Sequence, residues 1–417
     1  MNAEGANRVP VVVLKFDPNV FHHGALGIVR SLGRLGIPVY AVQEDRWAPM
    51  AHSRYLRRSL PWMDAAADRA NVTRLLELGR TLGERPILIP TDDVASIFVA
   101  EHRPELESSF RFPVVDPTVV RSLCSKQGLY HLCKQFGVPA PETWFPRSRE
   151  EVGDLLEKVT YPLVLKAIDP WLLRGATKLP SVLIVEDSNE LLRRYDEMED
   201  PYEPNLMIQE YIPGGPESVW MYNGYFNEQS ESLVHFTGQK LRQHPPYTGM
   251  TTLGICQANE VVEATTKQFL KSVGYRGIVD MGYRYDCRDG QYKLLDVNPR
   301  IGATFRLFVG RSGVDVVRAL YLDLTASPVE ASQAVDGRRW LVENHDVVSS
   351  LRYIRDGRLS AFGWWNSLQG VDERAWFASD DLLPFAMMAW RFLARGPQKA
   401  LSSVGTRRIG ATGRGDR

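Results

Sequence analysis

Lys293-Leu294-Leu295-Asp296-Val297-Asn298-Pro299-Arg300, with Asp280 upstream on the apolar run Ile278 to Tyr285, decides how this chain is read. Both stretches have the β-branched and aromatic content of strands, and Asp289-Gly290 between them is a hairpin signal. Alternate residues of a strand share a face, so Asp296 and Asn298 are expected to point one way while Leu295 and Val297 face a core. If the strand carrying Asp280 pairs alongside, three hard oxygen donors converge. Such a set suits Mg2+ shared with substrate phosphates and not zinc. A solvated acidic face is the plain alternative, and Asn298 and Arg300 beside Asp296 make it the lesser one.

Working outward, the next signals are lysines in apolar surroundings. Lys166 lies within Tyr161 to Ile168, YPLVLKAI, next to Leu165 and Ala167. A buried ammonium is costly without an anion, and a nucleotide phosphate would supply one. Lys126 opens a helix, where a cation opposes the helix dipole unless an anion compensates. Lys178 sits in the loop Trp171 to Pro180 that follows, where a cover over phosphates and an ordinary solvated lysine are equal readings. Gln209 to Glu217 then reads as strand, Pro-Gly-Gly turn and strand, with Glu210 and Glu217 on either side.

The chain has 417 residues, 50 basic and 50 acidic, so its net charge is zero. That removes the global positive field that gathers nucleic acid, and a small-molecule partner is expected. A hydrophobic fraction of 44% excludes disorder and fills two or three cores. Cys124, Cys133, Cys256 and Cys287 have neither zinc nor disulfide spacing, which points to a reducing cytoplasm. The first ten residues do not read as a signal peptide, and no run of about 18 apolar residues occurs.

Residues 1–122 open as a βαβ unit: a strand at Val9 to Phe16, a helix at Gly24 to Leu35 and a strand at Ile37 to Val42. A helix at Asn71 to Leu82, a strand at Pro86 to Pro90 and another at Phe112 to Val115 follow, implying a parallel sheet. Gly24-Ala25-Leu26-Gly27 is not a dinucleotide fingerprint. Thr91-Asp92-Asp93 reads equally as an N-cap and as a binding turn. Residues 123–326 read as α+β around an antiparallel sheet, and 327–395 as an extension of sheet or helix-turn type. Within the extension, the apolar helix Leu382 to Ala394 is expected to cover a hydrophobic face. Residues 396–417 read as a loose basic tail.

Taken together, Tyr161 to Lys166, Ala176-Thr177-Lys178, Arg242-Gln243-His244-Pro245, Gly274-Tyr275-Arg276-Gly277 and Leu295 to Arg300 resemble the ATP-grasp superfamily, and within it the bacterial carboxylate–amine ligases related to D-aspartate ligase. The resemblance implies an ATP-grasp fold at 123–326, with a small lobe to about 211, preceded by a parallel-sheet pre-ATP-grasp domain. It implies that Lys126 and Lys166 hold the α- and β-phosphates, with Lys178 over them. Glu210 and the Tyr211-Ile212 backbone would read adenine, and Glu217 the ribose. Asp280, Asp296 and Asn298 would hold one or two Mg2+ ions, with Mn2+ as a substitute, and Arg300 would face the transferring phosphoryl group, aided by Lys240 or Arg242. Arg306, His22 and Arg54 are the substrate candidates. The implied activity is ADP-forming amide synthesis through an acyl phosphate, from a small carboxylate and an amine. A carboxylase, a small-molecule kinase and a nucleotide-binding regulator without turnover are the alternatives, and a homodimer is left open.

Overall fold

The computed structural model describes residues 8–173, 182–200, 202–330 and 333–404. The first sheet is parallel, in the order β3-β2-β1-β4, from β1 (Val11–Leu14), β2 (Val39–Val42), β3 (Leu56–Leu60) and β4 (Ile87–Pro90). All four residues of β1 are buried, as a central parallel strand requires. β3 gave no clear sequence signal because Arg57 and Arg58 lie exposed on an edge strand, where charge replaces alternation. The strand expected at Phe112 to Val115 does not form. Only an isolated bridge, Ile87 to Arg111, is made there, since Pro113 has no N–H to give a ladder.

A small antiparallel sheet follows in the order β5-β8-β6-β7, from β5 (Thr143–Trp144), β6 (Leu163–Ala167), β7 (Val182–Val185) and β8 (Leu206–Glu210). Helices Arg149–Leu155 and Ser188–Met198 pack on it through Val152, Leu191 and Tyr195. The third sheet has the order β13-β12-β9-β10-β11-β14-β15. Its strands are β9 (Val219–Phe226), β10 (Ser232–His244), β11 (Met250–Cys256), β12 (Gly277–Asp286), β13 (Gln291–Asn298), β14 (Arg339–Leu341) and β15 (Glu373–Arg374). Every pairing in it is antiparallel except β14 with β15.

One core joins the first sheet to the third. Val11, Val13 and Ile28 pack in the same cluster as Met221, Phe236 and Phe305, and the segment just past β4 meets the segment just past β13, where Arg300 Nε donates to Asp93 Oδ1 at 2.9 Å. The extension closes over this core through Trp340, Trp376 and Met388. The helix expected at 382–394 runs from Leu383 to Val404, so 396–404 belongs to it and not to a loose tail; 405–417 lies outside the described residues. Phe385 and Phe392 pack on the shared core, as a cover should, while Leu383, Trp390 and Leu393 stay exposed. Among the described residues, no helix is long and apolar enough to cross a membrane.

Candidate functional site

The strand carrying Asp280 does pair alongside, and the β12–β13 hairpin sets Asp280 opposite Asn298 and Gly282 opposite Asp296. A bulge at Leu295 interrupts it, because Tyr283 pairs with Leu294. The core side is therefore Leu294 (2% exposed) with Val297 (1%), while Leu295 is only half-buried, unlike the strict alternation expected. Asp296 and Asn298 still share a face with Asp280. The Asn298 amide nitrogen lies 3.3 Å from Asp280 Oδ2 and 3.4 Å from Asp296 Oδ2.

Cations converge on these groups from three other elements. The backbone N–H of Lys126 donates to Ile168 O at 3.2 Å, tying the start of helix Lys126–Phe136 to the end of β6 and so bringing Lys126 near Lys166. Lys126 forms an ion pair with Asp296. Burial alone would lower its pKa, but Asp296 outweighs burial and raises it; the same pairing overcomes burial to lower Asp296. Lys166 has no such close partner, and burial, assisted by Lys126, pushes it down to about 8. Burial also lowers Lys240, against the pull of Asp280 and Asp296, and raises Asp280 despite Arg300 and Lys240. This is a field short of anions, and phosphates would complete it.

Arg300 links the end of the third sheet to the end of the first. Its Nε donates to Asp93 Oδ1 at 2.9 Å, its Nη2 to Asn298 Oδ1 at 2.9 Å and its Nη1 to Ile301 O at 3.1 Å. Asp93 is the first residue of helix Asp93–Glu101, directly after β4. The neighbouring Asp92 is the N-cap, accepting from Ala95 N at 2.9 Å, and it also fixes the loop after β1 through Phe16 N at 2.7 Å. The turn Thr91-Asp92-Asp93 thus both caps a helix and reaches the site. Nothing local in the sequence marks Asp93 as the partner of an arginine 207 residues away.

β10 separates the two cations between which the sequence could not choose. Lys240 pairs opposite Gly254 but Arg242 opposite Leu253, so a bulge at Leu241 breaks the alternation. Lys240 lies toward Asp280 and Asp296. Arg242 instead forms a two-pronged pair with Asp346 of helix Glu343–Arg355, at 2.7 and 2.9 Å, and donates to Ser367 Oγ at 2.7 Å. With its guanidinium held there, Arg242 is not available to phosphate.

Arg306 is likewise committed. It holds Glu373 through two 2.7 Å bonds and also Asp315, which leaves no free edge for a substrate carboxylate. Arg54 sits at the Asp380-Asp381 corner, its N–H 2.9 Å from Asp381 Oδ1, beside the last turn of helix His23–Gly33 and away from the cleft. His22 is at the other end of that helix. Its Nδ1 accepts from Ala25 N at 3.1 Å, so the proton is on Nε2. Burial, then Lys15, His23 and Arg300, keep it neutral.

At the end of β8, Glu210 accepts from Lys293 Nζ at 2.9 Å, Arg288 Nη2 at 2.9 Å and Glu142 N at 3.0 Å, a network that sequence reading missed. Tyr211 lies under the Arg284 guanidinium, 5.7 Å from its ring centroid, and Ile212 is buried. Glu217 is exposed and accepts from Gly215 N at 3.0 Å. Lys178 lies outside the described residues.

Among the described residues no group of three or more His, Cys, Asp or Glu is close enough to hold a metal alone. Two carboxylates and one amide remain, which fits Mg2+, a cation commonly held by one or two carboxylates with substrate phosphates supplying the rest. Asn298 now gives its nitrogen to the carboxylates and its oxygen to Arg300, so ligation would require its amide to turn.

No family model matches the chain. The D-aspartate ligase of Enterococcus faecium is 25% identical over 323 residues, 74% of each chain. The C-terminal section of the carbamoyl phosphate synthase large chain of Methanopyrus kandleri is 23% identical over 56% of this chain and 43% of its own length. Among solved structures, the ADP complex of N5-carboxyaminoimidazole synthetase from Staphylococcus aureus superposes with a TM-score of 0.60 over 85% of this chain and 89% of its own, at 10% identity. An L-amino acid ligase from Bacillus licheniformis gives 0.55 over 79% and 76%, at 17% identity. The fold is that of the ATP-grasp proteins, preceded by a parallel-sheet domain. In sequence the chain resembles D-aspartate ligase.

Proposed function

We propose that this protein is an ATP-dependent carboxylate–amine ligase that forms an amide with release of ADP and phosphate. The observation that carries the reading is the convergence of Lys126, Lys166, Lys240 and Arg300 on Asp280, Asp296 and Asn298. The similarity to D-aspartate ligase supports it.

In this reading Lys126 and Lys166 bind the inner phosphates, and Lys240 approaches from β10. Arg300, held by Asp93, meets the charge that grows as the γ-phosphoryl group leaves ADP for a substrate carboxylate oxygen. Magnesium, held by Asp280, Asp296 and Asn298 together with phosphate oxygens, would neutralise charge when bound. The amine nitrogen then attacks the acyl-phosphate carbonyl carbon, the C–O bond to phosphate breaks, and the amine gives up a proton. His22, neutral and within electrostatic reach of Arg300, is the histidine that the first domain offers to the amine side. Arg242, Arg306 and Arg54 take no part.

The test is incubation with Mg-ATP, hydroxylamine and a panel of carboxylic acids headed by aspartate, reading nucleotides and hydroxamates by mass spectrometry. ADP with a hydroxamate is expected. AMP with pyrophosphate, or acid-independent ADP formation supported by bicarbonate alone, would overturn the reading.

A further inference from the structure

A cavity lies behind the cleft, where the two domains meet. Its walls are the end of β4, helix Asp93–Glu101, residues 112–115, the start of β12 and Pro299 to Ile301. Val99, Ala100, Phe112, Val115, Ile278 and Leu320 make most of it apolar, and the cavity volume is about 70 Å3. That is a narrow slot, wide enough for one ring or a branched chain.

Two polar groups in the lining are unsatisfied. Ser96 is 5% exposed and its hydroxyl has no hydrogen-bond partner among the described residues; the buried Nε–H of Arg276 has none either. Arg30, Arg242, Arg300 and Arg306 each hold a carboxylate, and so does Arg103 at the same cavity, through Glu107 at 2.9 Å. Arg276 pairs with none among the described residues. Tyr275 beside it is already spent, its hydroxyl donating to Ile278 O at 2.5 Å. Arg103 and Arg300 also line the space, but each is held by its own carboxylate, so Ser96 and Arg276 are the polar groups left for an occupant among the described residues. An apolar slot ending in an unpaired guanidinium and a hydroxyl matches an amphiphilic anion.

We propose that this cavity binds a small monocarboxylate with an apolar, ring-sized body, its carboxylate on Arg276 and Ser96. Because Pro299 to Ile301 form a wall, the ligand sits behind Arg300 and does not compete with nucleotide.

The full chain, saturated with Mg-ADP, would be titrated with benzoate and 3-methylbutanoate by calorimetry and thermal shift, with benzyl alcohol and acetate as controls. Saturable binding of the two apolar acids is expected, with much weaker binding of the controls. Arg276→Met should weaken it roughly tenfold or more while Mg-ADP binding is unchanged. Ala100→Phe, which fills the slot, should abolish it. Should Ala100→Phe fail to fold, the Arg276→Met result decides. No binding by either acid, equal binding of benzyl alcohol, or benzoate binding that survives Arg276→Met would each overturn the proposal; the last would move the acid to the cleft.

Discussion

Removing one partner of the Arg242–Asp346 pair should unfold the extension long before it touches nucleotide. Arg242 is 6% exposed and Asp346 1%. The carboxylate also accepts from Thr252 Oγ1 at 3.0 Å and Trp364 Nε1 at 2.9 Å, so one side chain ties β10, β11 and two helices of the extension together. Breaking a buried pair from one side leaves an uncompensated charge, at a cost of about 3–5 kcal/mol. Arg242→Met and Asp346→Ala are each expected to lose that much in urea unfolding followed by tryptophan fluorescence. The double variant Arg242→Met/Asp346→Leu carries no orphaned charge. It should lose only about 3 kcal/mol, the three neutral donors Thr252, Ser350 and Trp364 costing about 1 kcal/mol each, far below the sum of the single losses. The Kd for Mg-ATP, measured where each variant is folded, should match wild type. An Arg242→Met protein with the wild-type unfolding midpoint and weakened Mg-ATP binding would refute the reasoning and return Arg242 to the phosphates.

Three further outcomes are expected. Asp93→Asn frees Arg300 without removing it, so turnover should fall by up to about 100-fold with nucleotide affinity little changed, and a loss confined to nucleotide affinity would count against the positioning role. Lys166 stands near 8 in the free protein against an ordinary 10.5, and bound phosphates should raise it. Mg-ATP binding should therefore take up a proton and weaken by up to roughly tenfold per pH unit above 8, and calorimetry in buffers of different ionisation enthalpy should show Lys166→Met lacking that uptake. His23 is 5% exposed, its ring nitrogens have no partner among the described residues, and burial followed by His345 pushes its pKa from 6.5 to about 3. The unfolded chain thus gains a proton that the folded one refuses as pH falls from 6.5 toward 3, and stability is lost across that window. His23→Phe should spare about 2 kcal/mol of the loss between pH 7 and 5, and parallel pH profiles for the two proteins would sink this account.

The parts of the fold that were legible in the chain are those whose signals are local. The strand content of Tyr161 to Ile168 and Ile278 to Tyr285, with the Asp289-Gly290 turn, was enough to expect strands and a hairpin near Asp280, while the alignment of Asp280 with Asn298 came from the fold. A lysine inside an apolar strand is a local anomaly, so Lys166 stood out as well. The βαβ opening was legible because a buried parallel strand leaves no room for polar residues.

Tertiary structure decided how each cation is employed. Arg242, Arg300 and Arg306 look alike in sequence, yet Asp346, Asp93 and Glu373, remote along the chain, decide that only Arg300 faces the cleft. Bulges at Leu241 and Leu295 changed which side chains face inward, because one extra residue reverses the strand's alternation and leaves no compositional mark. Ion pairing depends on distance in space, and sequence separation carries almost none of that information.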